Sequence, residues 1–410
     1  MRKRLQMDQL KQCSANCRRL RNALALGFAV AVLPTAASTL EQAKRIHDRL
    51  AGVPPDASPS NNVLQNMKNL IDANDAIGAA YLAMDNKAFY NATLKNWASP
   101  WTNRDGNKFA PLNDYTATVI GIVRDGVDYR QVLFGDILYT PNTSYGAYSN
   151  SNNSTYTALE AADGNMGDTG QLQQKTQSSV TGLAAPAGVI TTRAAARAFF
   201  IDGTNRAMFR FTLKNHLCHD MEDVQDTTRP TDRIRQDVSR SPGGDSRIFM
   251  NTCVGCHSGM DPMAQAFAYY NFNYDKTAAD QDAAKDAGSL QYTPGVVQPK
   301  YFINSNHFIE GYVTPDDHWD NYWRSGPNTA IFGWGAGTGT GSGAKTMLQE
   351  LANSEAFAVC SVKKVFKAVC LRDPASADQG AFTTMLSNFK SSNYNLKHTF
   401  AEAAVYCSGN

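Results

Sequence analysis

Apolar residues recur at helical spacing along most of the chain. Leu40 to Leu50 carries one such stripe, stopped by Gly52 and Pro54-Pro55. Ser60 or Asn61 opens the next, through Val63, Met67, Leu70 and Ile71. Ala76 to Trp97 adds one or two helices, with Trp97 and Trp101 as core anchors. Asn113 to Leu138 continues with Val119, Ile120, Ile122, Val123, Val132 and Leu133, broken near Gly126. The stripe resumes from Thr191 to Leu217. Ala344 to Leu371, Ala375 to Lys390 and Leu396 to Cys407 predict a C-terminal helical hairpin or three-helix unit. The pattern therefore predicts a mainly α fold, with a helical N-terminal domain over 39–190 and a second helical domain over 191–410.

Several stretches interrupt it. Residues 141–181 are rich in Gly, Ser, Asn, Thr and Tyr and read as a polar surface insertion, with Tyr145, Tyr148 and Tyr156 as solvated loop residues or a binding edge. Glu222 to Gly244 reads as a loop, and Gln291 to Phe308 as short extended pieces. Gly333 to Gly343 has alternating glycines, but no clear strand before it and no ribose-binding acid after it, so it reads as a flexible loop rather than a phosphate cradle.

Residues 1–38 read as a secretory signal. Seven basic residues lead into Ala23–Ala37, an apolar run of 15 residues that is short for a membrane span, and Ala36-Ala37-Ser38 offers a cleavage site. The rival reading is an uncleaved anchor. Of 39 Lys and Arg, seven lie in this segment, and of 37 Asp and Glu only Asp8 does. That leaves 32 against 36, a net charge of −4, which does not suit a nucleic-acid binder. No stable membrane span is expected once the signal is removed, and the expected location is periplasmic or extracellular.

Asn251 to Pro262 holds the chemistry: Cys253-Val254-Gly255-Cys256-His257 is the attachment signature of a c-type haem. Two thiols three residues apart can each add to one vinyl group of a porphyrin, and His257 can then donate a nitrogen to the iron. A zinc knuckle would want a second Cys or His pair, and no second Cys-x-x-Cys exists. A redox dithiol would want a preceding strand in a βαβ context, which the pattern lacks. Residues 191–410 thus read as a haem domain with one haem c per chain. Asp261 is placed to cap a new helix with Pro262 at its first position. Arg193, Arg197, Arg206 and Arg210 could reach haem propionates or form a solvated face.

Four further cysteines follow the signal, besides the two of the motif: Cys218, Cys360, Cys370 and Cys407. Cys360 and Cys370 fall on one helical stretch, about 15 Å apart, so they should not pair with each other. The expected disulfides are Cys370–Cys407 and Cys218–Cys360, which suit an oxidising compartment, as covalent haem attachment does.

Arg49 to Pro55, Ala187-Gly188-Val189-Ile190-Thr191, Cys253 to Phe267 and Phe357 to Pro374 occur in an order that resembles the planctomycete-type cytochrome c domain proteins, an exported family. The resemblance implies a mainly helical fold and redox use, and gives Cys253, Cys256 and His257 to the haem. Met263-Ala264 departs from it, where a glycine commonly follows the Asp-Pro pair.

The sixth iron ligand separates the functions, because two strong axial ligands favour electron passage and an open position favours oxygen or peroxide. His307 and His318 lie far enough downstream to reach the opposite face, and His219 and Met221 could return from upstream. The expected function is an exported mono-haem c-type cytochrome passing single electrons between redox or haem proteins, with self-association open. The alternative is a haem enzyme, a peroxidase or oxygenase acting on an extracellular substrate; the aromatics Tyr269, Tyr270, Phe272, Tyr274, Trp319 and Trp323 suit it or suit core packing.

Overall fold

The computed structural model describes residues 38–56, 58 and 62–409. The signal reading, save Ser38, lies outside them, as do Ser60 and Asn61. The chain is mainly α. Helices of seven or more residues are α1 (Thr39–Ala51), α2 (Val63–Asp72), α3 (Ala76–Met84), α4 (Asp114–Arg124), α5 (Ser154–Ala161), α6 (Arg193–Phe199), α7 (Arg206–Thr212), α8 (Val254–Ala264), α9 (Gly343–Ala352), α10 (Glu355–Cys370), α11 (Gln379–Ser391) and α12 (Leu396–Cys407). Three antiparallel strand pairs complete it: β1 (Leu138–Pro141) with β2 (Leu172–Lys175), β3 (Tyr270–Asn273) with β4 (Ser289–Tyr292), and β5 (His318–Asp320) with β6 (Thr340–Ser342).

Side-chain caps set many of these boundaries. Asn62, Asp75, Asn113, Thr192, Ser354 and Asn395 each accept from a backbone N–H of the first turn they open. Ser354 also divides the long helix expected over 344–371 into α9 and α10.

Thr39–Gly409 forms one compact unit. The expected boundary at 190/191 does not divide the packing. Helix α1 beds against α12, and α3 does too. Arg45 and Arg49 of α1 donate to the carbonyls of Ser408 and Val369. One continuous core runs from Ala43 through Phe89 and Phe209 to Trp323 and Phe400.

The polar stretch at 141–181 is folded onto this core rather than standing off it. Tyr156, Leu159, Met166 and Leu172 are buried, and the Tyr156 hydroxyl donates to the Tyr139 carbonyl at 2.9 Å. Its asparagines are occupied with backbone: Asn142 donates to Gly170, Asn150 to Thr181 and Asn153 to Leu112. Arg124 reaches in from α4 to the carbonyls of Met166, Asp168 and Leu172. Composition misled here because side chains that look solvated satisfy the backbone instead. The glycine-rich stretch is likewise ordered at its end, where β6 pairs with β5.

Two disulfides tie the C-terminal helices. Cys218–Cys360, with Cα atoms 5.4 Å apart, joins the turn after α7 to α10, and Cys370–Cys407, at 5.5 Å, joins the ends of α10 and α12.

Candidate functional site

The motif lies on a helical rod. Asp245 opens it by accepting from the Arg247 N–H, a short turn covers Ser246–Ile248, a π-helical turn covers Phe249–Cys253, and α8 continues to Ala264. Asp261 therefore does not start a new helix. Pro262 sits inside α8 near its end, where the amide it lacks would have bonded the Ser258 carbonyl. Gly259 faces Trp323 so closely that a Cβ there would overlap the indole, which seats the rod on the core.

Asp261 has a different task. Its carboxylate is fully buried and lies 3.1 Å from His257 Nδ1, one turn earlier on the same helix. Arg206 of α7 grips it with two bonds, Nε to Oδ1 at 2.6 Å and Nη2 to Oδ2 at 2.8 Å, and binds Asp237 with the other side of the guanidinium. Burial alone would raise the Asp261 carboxyl; Arg206, His257 and Arg235 hold it well below the usual carboxylate range. An ionised carboxylate only accepts, so Nδ1 donates to it, and Nε2 is left as the nitrogen open to a ligand. That is the tautomer an iron-ligating histidine needs, with its ring orientation fixed from behind.

Cys253 and Cys256 are both unpaired and partly exposed. Cys253 packs on a small apolar cluster of Ile234, Val238, Phe249 and Val254. The Cys256 thiol points to the Met221 carbonyl at 3.6 Å, and burial pushes it up to about 11. Redox dithiols carry a depressed thiol instead, so this environment argues against a thioredoxin-like role.

An open cleft of about 530 Å³ adjoins this face. The helical rod (Ser246, Phe249, Met250) forms one wall and the segment Phe308 to Tyr312 the other. Arg240 spans them, its guanidinium 4.8 Å from the Phe249 ring and 4.4 Å from that of Phe308. Apolar side chains around it stand in solvent, Met250 at 58% and Ile309 at 71%. Cys253 reaches the edge of this cleft by packing on Ile234 and Phe249, and the two free thiols with an imidazole bonded at Nδ1 make a donor set that fits a covalently held haem, beside a lining that mixes aromatic side chains with Arg240, Asp232 and Glu310.

The distal candidates separate. His307 immediately precedes the cleft wall, and its Nδ1 lies 3.3 Å from the Asp237 carbonyl. His318, on β5, faces Thr340 at 3.2 Å. His219 is half-buried against the edge of Phe332, and Met221 is buried in the core with its carbonyl on Cys256. None of the four lines the cleft, and His307 alone adjoins a lining residue, Phe308. The four arginines named from sequence are engaged with protein: Arg193 with the Gly288 and Asp286 carbonyls, Arg197 with Asp286, Arg206 as above, and Arg210 with Asp220. Sequence reasoning missed Arg240 and Asp237, and gave Asp261 the wrong role. Its spacing of four from His257 was the available signal.

Among the described residues no group of three or more His, Cys, Asp or Glu side chains converges to hold a bare metal ion. A haem iron takes only one or two protein ligands, so this does not bear on it. No protein-family model, curated protein or solved structure matches this chain.

Proposed function

We propose that the chain is an exported c-type cytochrome. It carries one haem, bound through Cys253 and Cys256 with His257 on the iron, and passes single electrons between redox partners. The observation that carries this reading is the buried Asp261–Arg206 clamp behind His257, which occupies Nδ1 and leaves Nε2 for a ligand. The haem would supply the one-electron couple. The chain's own part is to hold His257, to keep Asp261 ionised, and to line the cleft with Phe249, Phe308 and Met250 together with Arg240, Asp232 and Glu310. Export is supported by the two disulfides, and none of the described helices is long and apolar enough to cross a membrane.

The test is expression with a working c-type maturation system. The purified chain should stain for haem under denaturing conditions, show the mass of polypeptide plus one haem, and lose both in C253S/C256S. A colourless chain at the bare polypeptide mass would remove the reading.

A further inference from the structure

Away from the motif, a second cleft of about 440 Å³ lies between the segment around Trp97 and Trp101 and the C-terminal turns of α10. Its apolar wall is a pair of indoles, Trp97 and Trp101, edge to face with centroids 4.5 Å apart. Trp97 Nε1 donates to the Lys364 carbonyl at 3.3 Å, which fixes that ring on α10. Lys364 Nζ sits 4.2 Å from the Trp101 ring centroid and donates to the Asn215 carbonyl at 2.5 Å. The Cys218–Cys360 disulfide, one turn away on both elements, holds the pair in place.

Charge in this cleft has one sign. Its ionisable lining residues are Lys108, Lys364 and Lys367, and no lining residue is acidic. Lys367 is paired with Asp373 at 2.9 Å, while Lys364 makes no ion pair among the described residues. Burial pulls the Lys364 ammonium down to about 7. His216, packed behind it, is kept neutral by its own burial and by Lys364, so it supplies no counter-charge. An uncompensated ammonium on an aromatic wall is costly without an anion. The lip adds a second sign of a missing neighbour. Leu371 is 75% exposed and held at φ +59°, a strained conformation for leucine, between the Cys370–Cys407 bridge and the Arg372–Asp378 ion pair.

We propose that this cleft binds a small aromatic carboxylate, with its ring on Trp97, Trp101 and Leu371 and its carboxylate on the Lys364 ammonium. The volume falls in the range of small-molecule sites and suits a body of one or two rings. A ligand joining an apolar body to one negative charge answers both the indole wall and the Lys364 ammonium, which makes no ion pair among the described residues. The site does not depend on the haem.

Calorimetric titration of the full chain with 2-naphthoate and with its neutral analogue 2-naphthalenemethanol tests it. The native chain should bind naphthoate at least about tenfold more tightly than the alcohol. Lys364→Met should abolish that preference, and Lys108→Gln should keep it. Equal binding of the two probes by the native chain overturns the proposal. So does the absence of naphthoate binding up to about 10 mM, or a folded Lys364→Met that still prefers the anion. The comparison of probes on the native chain needs no variant, so a substitution that failed to fold would leave the test intact.

Discussion

His257 Nδ1 stands 3.1 Å from the buried carboxylate of Asp261, one turn along α8, and Arg206 pins that carboxylate from α7. Replacing Asp261 by Asn keeps the shape and removes the charge. Arg206 then loses half of its compensation, and stability should fall by about 3–5 kcal/mol, read by thermal or denaturant melting. In haem-loaded protein the imidazole becomes a weaker donor, so the midpoint potential should rise. A variant with unchanged stability and potential would show that the clamp does not act on His257.

His307 is the distal candidate beside the cleft, since Phe308 begins its second wall. With haem bound, His307→Ala should convert a low-spin spectrum to a high-spin one that takes carbon monoxide readily. His318→Ala and His219→Ala should leave the spectrum unchanged. A native protein that is already high-spin and carbon-monoxide-reactive would favour the enzyme reading over the carrier.

Gly259 leaves no room for a side chain against Trp323. Gly259→Ala must push the rod off the core or displace the indole, at a cost of about 1–3 kcal/mol in stability. Haem incorporation should fall with it. A melting point equal to that of the native chain would mean the rod shifts freely.

Burial lowers Lys300 and Lys364 to about 7, far below an ordinary lysine. Between pH 7 and the ordinary lysine value near 10.4, the unfolded chain binds more protons than the folded one, so stability rises with pH across that window. Buried His216, also lowered, adds a loss as pH falls below about 6.5. Melting temperature should therefore climb from pH 6 to pH 9, with about 1–3 kcal/mol from the lysines after solvent access is allowed for. Lys364→Met should flatten part of that rise, and an unchanged slope would place the ammonium in solvent.

Helical stripes such as Leu40–Leu50 were readable because a period of 3.6 is a local property. The folded state of 141–181 was not, because Asn142, Asn150 and Asn153 find backbone partners that only the tertiary structure brings near. At the motif, the residue types of Cys253, Cys256 and His257 suggested the proposed haem chemistry without help from the fold. Asp261 did not, because an Asp-Pro pair looks like a helix start, and the residue that decides otherwise, Arg206, is 55 positions away. The Trp97–Lys364 contact spans 267 positions and left no mark in the local pattern.

Because α1 is bedded against α12 as well as against α2 and α3, part of the packing surface of the first described helix is supplied only when nearly all of the described chain has been made. Such long-range closure slows folding and keeps the nascent chain open. Cutting off the last described helix would consequently take from α1 part of its packing surface, rather than trim a dispensable tail.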